Sequence, residues 1–517
     1  MPDICLGFEV HQPLRINRDF RKELGEGKRP EELFDIYFDN CWNRAILERV
    51  ARKCYLPANE IILENIDRFK GDGKRFKVCF SLSGILVEQL ERWAPEALES
   101  FRDLARSGCV ELLDQTYYHS LSSLFSSDRA EFIEQVELHR ALMRDCFGQE
   151  PIVFENTEFL YNNSIARTLE ALGYSGVFTE GAERILGWRS PNHLYRADGA
   201  GIVVLLRNYR LSDDIAFRFS NRDWPGWPLT ADKYAAWLSA TPGDCINIFI
   251  DYETFGEHQW PETGIMEFLR WLPIEVLKRE NLAFKTPSEL ISSHSPVGVI
   301  SVGDFETVSW ADEERSTSAW LGNDMQRTCY RALKGMEAPV KGSRNESLIK
   351  IWRLLQASDL LYYMYTQPRP SRSVHEYFSS QPPAAAFWAL MRILSDLNER
   401  IAEALPEPAR SSSLFLRVVP PDRAFHFHEG GAYAGLSAHS LEEFGDAILL
   451  ASDGSIGFHM ARGDFERWIR HTIGDADLAD EVGGMRLGGI GELRAALREA
   501  VRRRVSELRA RGGFGWG

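Results

Sequence analysis

Short apolar runs recur along this chain, and each stops on polar or aromatic residues before a helical stretch begins. The run at 3–10, DICLGFEV, gives way to His11, Gln12 and Pro13. The run at 76–82 ends at Ser81 and Ser83, both placed to cap the next helix, and 108–113 leads to Thr116, Tyr117, Tyr118 and His119. The run at 152–154 leads into Glu155-Asn156-Thr157-Glu158, 176–179 into Glu180-Gly181, and 202–206 into Arg207-Asn208-Tyr209. The next, 246–250, stops on Asp251, and a last one lies around Phe284. Continuous apolar runs of this length read as strands buried on both faces. Strands alternating with helices are the signature of βα units and a parallel sheet. So many units with polar ends favour an α/β fold closed, or nearly closed, into a barrel; a doubly wound open sheet is the second choice. No glycine-rich phosphate loop follows any strand, which counts against nucleotide binding.

The stretch INIFIDYETFGEHQW at 246–260 carries the densest chemistry. Asp251, Glu253, Glu257 and His258 follow a buried strand, with Gly256 to bend the backbone. Barrels place their active groups at the C-terminal ends of their strands. Glu158 ends another strand, so Glu158 and Asp251 are expected to face each other across one mouth. A carboxylate pair flanking a sugar bond is the minimum for glycoside hydrolysis. One acid attacks the anomeric carbon and the other protonates the leaving oxygen, which requires a raised pKa. Aromatic residues near the strand ends suit the apolar faces of pyranose rings: Tyr117, Tyr118, Phe159, Tyr161, Trp224, Trp227, Tyr252, Phe255 and Trp260. His11, His119, Arg218 and His258 can bond hydroxyls. Glu155, Glu180 and Glu183 read as structural or capping acids.

The chain has 517 residues, 44% hydrophobic, with a net charge of −15. That balance is wrong for a general nucleic-acid binder, which needs a basic face. No run of about 18 apolar residues suggests a membrane span. The start, MPDICLGFEVHQP, lacks the features of a signal peptide. The eight cysteines are scattered without a C-x-x-C, as expected of buried free thiols in a reducing cytoplasm. A zinc reading would use His11, His119, His258 and Asp251, but no H-x-x-x-H or H-E-x-x-H spacing supports it. No metal and no cofactor are therefore expected, and His426 and His428 in FHFH read as structural.

From Trp310 the texture becomes helical. The expected organisation is a catalytic barrel over 1–295, a helical region over 296–404 packed on it, and a small accessory unit over 414–517. PEPARSSS at 406–413 reads as a linker. Leu493, Leu497, Val501, Val505 and Leu508 recur at helical spacing, so the chain ends in an amphipathic helix with a solvated basic face.

The motifs together resemble glycoside hydrolase family 57, in its α-amylase-like branch. FEVHQPLRI at 8–16 resembles the first family motif and GCVELLDQTYYHSL at 108–121 the second. ENTEFLYNN at 155–163 resembles the third, and DYETFGEHQW at 251–260 the fourth. DEERSTSAWLGNDMQ at 312–326 is similar to a later motif, and the run at 211–234 also looks like this branch. The resemblance covers about residues 1–403. It implies an incomplete (β/α)7 barrel followed by a helical region, and a retaining mechanism on α-glucans without an obligatory metal. Glu158 takes the nucleophile's place and Asp251 that of the general acid/base. The motifs put His11, Gln12, Tyr118, His119, Arg218, Glu253, His258, Trp260 and Trp320 on the substrate. Two runs depart from the family pattern, SDLLYYM at 358–364 and PRPSRS at 368–373, and they bear on subsites. The reading is then hydrolysis of α-1,4 bonds in α-glucans or maltodextrins. The alternatives are a 4-α-glucanotransferase, a metal-dependent carbohydrate deacetylase and a non-catalytic glucan-binding protein.

Overall fold

The computed structural model describes every residue except Met1, Asp72, Ser127, 368–380, 486–487 and 515–517. PRPSRS thus lies outside the described residues. The strands in chain order are β1 (Asp3–Val10), β2 (Val78–Leu82), β3 (Val110–Leu113), β4 (Val153–Glu155), β5 (Gly176–Glu180), β6 (Tyr195–Ala197), β7 (Val203–Arg207), β8 (Cys245–Asp251), β9 (Ala283–Phe284) and β10 (Val299–Ile300). Seven of them form a nearly closed parallel ring. β1 pairs with β2 and β8, β2 with β3, β4 with β5, and β5 with β7. Two seams are thin. β3 reaches β4 only through the Asp114–Phe154 bridge, and β7 meets β8 only at Arg207 and Asn247. The closed ring was the first expectation, and the doubly wound alternative falls.

Of the additions to the ring, the sequence marked only the short run around Phe284. β6 runs antiparallel to β7 and carries β10 outside it, and β9 adds to β1. β6 and β10, of three and two residues, are too short for a hydrophobic period to register.

Register explains why polar chemistry collects at one end. On β1, Ile4, Leu6, Phe8 and Val10 face outward into one core with Ile246, Ile248 and Ile250 of β8. Cys5, Gly7 and Glu9 therefore face the interior, because side chains alternate along a strand. Cys5, Cys79, Phe178, Cys245 and Phe249 fill the interior below the mouth. Gly7 has to stay small: a Cβ there would sit 2.4 Å from the Phe249 ring and 2.9 Å from Cys79 Sγ. One step further along, Glu9 is level with both Ser81 and Asp251. The top layer is polar, and it is the C-terminal rim of the strands.

Helices cover the ring. Ser83 caps Gly84–Trp93 by accepting from Leu86 N at 3.3 Å. Ser81 does not cap; its side chain points into the barrel and binds Glu155. The helices from Ser318 to Ala404 build a second core around Trp320, Trp352 and Leu390. The supposed linker is taken up by the helix Ala409–Leu416, in which Ser412 and Ser413 are buried. It packs on the last helix, Ile490–Gly512. That helix buries Leu493, Leu497, Val501, Val505 and Leu508, as its spacing predicts. A hairpin of β11 (Phe425–Glu429) and β12 (Ala432–Ala438) completes the C-terminal unit. All eight cysteines are free; Cys41 is exposed, against the expectation that these thiols are buried. Among the described residues no helix is long and apolar enough to cross a membrane.

Candidate active site

Glu158 sits in the turn Thr157–Phe159 just past β4, with φ 60° and ψ 22°. Phe159 and His119 are also left-handed, at φ 58° and 49°. Non-glycine residues rarely adopt this region, and such strain collects at functional sites. The turn is pinned beneath by Thr116 Oγ1 and Thr157 Oγ1, 2.6 Å apart. Phe159 stacks on Trp310 with ring centroids 4.8 Å apart and planes 9° off parallel.

Two donors fix the Glu158 carboxylate. Ser358 Oγ donates to Oε1 at 2.7 Å, and Trp310 Nε1 donates to Oε2 at 2.8 Å. His119 Nε2 lies 3.6 Å from Oε1. Burial pushes this carboxyl up, and the charge of Asp359 adds to that. The His119 imidazolium and the indole donor outweigh both, so Glu158 is held below the usual glutamate range. Asp251 is driven the other way. Burial first, and the Glu158 charge second, push it up to about 7, although Arg207 and His119 pull it down. The charge of one acid therefore acts on the other.

Two histidines link the rim to the helical region. The His11 and His119 rings stack with centroids 3.9 Å apart. His11 Nδ1 lies 2.6 Å from Ser83 Oγ, and Nε2 lies 3.0 Å from Asp359 Oδ2. Burial and the charge of His119 lower His11 to about 4 despite Asp359, so it is neutral. Burial alone would lower His119 too. Glu158, Glu9 and Asp359 overcome that and raise it to about 9. Among the described residues, His11, His119 and Asp359 are the ones whose ligand-type atoms approach one another, within 4.8 Å. Asp359 thus stands where the zinc reading had put His258 and Asp251. Hydrogen bonds account for this cluster, since both nitrogens of His11 and Nδ1 of His119 have protein partners.

Other expected substrate contacts are placed elsewhere. Trp320 is 1% exposed in the core of the helical region. The Gln12 side chain accepts from Arg15. Arg218 pairs with Asp214 at 2.6 Å. Tyr118 is buried beside Tyr117, and Tyr161, Tyr252 and Phe255 are core. Glu253 is buried and takes a hydrogen bond from Tyr55; burial pushes its carboxyl up to about 8. The His258 backbone N–H closes the same turn on Glu253 O. Trp260 is 59% exposed and Trp227 42%, so these two rings remain open to a ligand.

Sequence reasoning missed Trp310, Ser358 and Asp359. Trp310 marked only a change of texture, and Ser358 and Asp359 lay in a run read as a departure. Their role depends on the helical region folding back onto the β4 turn. Trp310 is steadied by Arg315, which donates to Trp310 O and lies 3.5 Å from Glu180, and by Arg207, whose guanidinium sits 5.6 Å from the indole centroid. Glu180 is structural, as expected.

The family model for glycosyl hydrolase family 57 matches residues 5–303, more than half of the chain. The chain belongs to glycosyl hydrolase family 57. A putative alpha-amylase from Methanocaldococcus jannaschii is 47% identical over 411 residues, covering 78% of this chain and 85% of that protein. An alpha-amylase from Pyrococcus horikoshii is 25% identical over 278 residues, 52% of this chain and 41% of that one. Among solved structures, the 4-alpha-glucanotransferase from Thermococcus litoralis aligns with a TM-score of 0.56 at 16% identity. The alignment covers 84% of this chain and 62% of that one. That likeness shows a shared fold.

Proposed function

We propose that this family 57 chain cleaves α-1,4-glucosidic bonds in α-glucans or maltodextrins with retention of configuration. Glu158 is the nucleophile and Asp251 the general acid/base. The observation that carries this reading is the opposed tuning of the two acids. Glu158 is fixed as an anion by Trp310, Ser358 and His119, while Asp251 is pushed up to about 7 partly by the charge of Glu158. Acid–base roles follow from pairs whose environments drive their pKa values apart.

In the first step a Glu158 oxygen bonds to the anomeric carbon as the glycosidic C–O bond breaks. The leaving oxygen takes the proton of Asp251. In the second step the Asp251 carboxylate accepts a proton from water, the water oxygen bonds to the anomeric carbon, and Glu158 is released. Exposed Trp260 and exposed Trp227 supply ring contacts to the sugar. A second sugar in place of water would make the same intermediate a transferase's.

Incubation with maltopentaose followed by chromatography of the products tests the reading. Shorter maltodextrins alone mean hydrolysis, and longer ones mean transfer. Intact maltopentaose, with binding but no turnover, would leave only a glucan-binding role.

A further inference from the structure

The barrel is built from two halves, and the two proposed catalytic acids belong to different ones. β8, β1, β2 and β3 form one run of paired strands, and β4, β5 and β7 form the other. Asp251 ends β8, while Glu158 follows β4. Their relative placement therefore depends on the seams between the halves. At the β3–β4 seam the backbone itself makes the join. Asp114 N donates to Val153 O at 3.1 Å, and Glu155 N to Asp114 O at 2.8 Å.

The β7–β8 seam is made differently. Arg207 is level with Asn247, and Asn208 N donates to Asn247 O at 2.8 Å. β7 ends there, but β8 runs on to Asp251. Beyond that level side chains take over from the ladder. Ser212 Oγ accepts from Phe249 N at 3.2 Å, and Arg207 Nε donates to Phe249 O at 2.7 Å. Arg207 is 3% exposed and spends its other arms away from β8. Nη1 donates to Glu180 Oε2 of β5 at 3.0 Å, and Nη2 to Asp213 Oδ1, in the helix after β7, at 2.8 Å. Arg315 joins the same acids, 3.5 Å from Glu180 and 3.4 Å from Asp213, and donates to Trp310 O. Trp310 is the indole that donates to Glu158. The Phe249 ring in turn meets Phe159, next to Glu158, with centroids 4.9 Å apart.

We propose that Arg207, with Ser212, stands in for a missing stretch of strand and is a positioning residue that holds the end of β8, and Asp251 with it, in a fixed place relative to Glu158. What this means for catalysis rests on the function proposed above; the placement of Asp251 does not. A guanidinium suits the task because its planar fork reaches Phe249, Glu180 and Asp213 at once. A lysine ammonium carries the charge without the fork.

The test reads Asp251 directly, by ¹³C NMR titration of its carboxyl in the full chain, with Asp251→Asn to assign the signal. Burial and the charge of Glu158 set the wild-type position at about 7, with Asp359 adding to the rise and Arg207 and His119 opposing it; Glu253 is the other acid that faces Asp251. Arg207→Lys keeps the positive charge but frees the end of β8. Asp251 should then move toward water and away from Glu158, and its titration should drop by about one pH unit or more, a tenfold loss of proton affinity. Ser212→Ala removes one bond to the same residue and no charge, and should move the titration the same way by a smaller step. A folded Arg207→Lys chain in which Asp251 titrates at or above the wild-type position overturns the proposal, whatever its stability. Should that variant not fold, Ser212→Ala decides, and an unmoved titration there overturns it. On maltopentaose, Arg207→Lys should lower kcat by about 10²-fold with KM little changed, and the high-pH limb of kcat/KM should move down with the titration. A loss of kcat with that limb unmoved would mark ordinary structural support and also overturn it. If the titration shifts as expected while the wild type leaves maltopentaose intact, the catalytic reading fails and the placement of Asp251 by Arg207 stands.

Discussion

The barrel mouth and the C-terminal unit treat charge in opposite ways. At the mouth Glu9, Glu155, Glu158 and Glu253 are each under a tenth exposed, and left-handed His119, Glu158 and Phe159 hold the backbone in a rarely populated region. In the unit after residue 414 most charges lie outside. Arg503 faces Glu481 and Arg470 faces Asp480 in pairs open to water. Three of its helices begin on side-chain caps, Ser440, Ser452 and Asp475. Burying a carboxyl without full pairing opposes folding, and so does strain. The C-terminal unit keeps most of its charge pairs open to water, whereas the mouth buries its acids and strains its backbone where the proposed chemistry needs unequal acids.

The contrast can be broken most forcefully at Glu158. Glu158→Gln should lower kcat on maltopentaose by about 10⁴-fold or more, since the covalent step loses its nucleophile. Its thermal midpoint should fall, because the fold holds this carboxyl below the usual range and so favours the charged form that the amide lacks. Steady-state kinetics and calorimetry read both, and full activity would end the assignment. Asp251→Asn comes next, with a loss of about 10²–10⁴-fold. Asp251 must be protonated for the first step, so wild-type kcat/KM should fall as pH rises through about 7, and the variant should lack that limb. Trp310→Phe keeps the stacking on Phe159 but removes the indole donor. A hydrogen bond to a charged group contributes about 1.5–3 kcal/mol, so kcat should drop roughly 10- to 100-fold.

Smaller effects concern stability. Glu253 is raised in the folded chain, to about 8, above its unfolded value. Its contribution is thus full below the unfolded glutamate pKa and lost as pH rises through 8. Glu253→Gln should flatten the fall in thermal midpoint between about pH 5 and 8; an unchanged slope would show that the charge is not penalised there. At the far end, Arg503→Ala should leave the thermal midpoint close to that of the wild type, as loss of an exposed pair does, and leave activity untouched. A loss of activity in that variant would break the separation between the two regions.

The barrel was legible because its strands are continuous apolar runs with polar ends, a pattern set by burial on both faces. Glu158, Asp251, His11 and His119 were legible because they sit directly at those ends. Trp320 misled, since its motif did not distinguish a tryptophan on substrate from one in a helical core. The segment 406–413 misled through its proline and serine content, although Ser412 and Ser413 are buried in a helix that packs on the last one. Trp310, Ser358 and Asp359 carried no local signal, because their partners lie in a distant part of the chain.

The sequence by itself determined which residues end the strands, and with them the level at which polar groups gather. Alternation along a strand is local, so it survives without coordinates. Only the tertiary structure decided the protonation of those groups. Which acid is anionic depends on the indole of Trp310, the hydroxyl of Ser358 and the charge of His119 reaching one carboxylate from separate elements, in a space from which water is largely excluded.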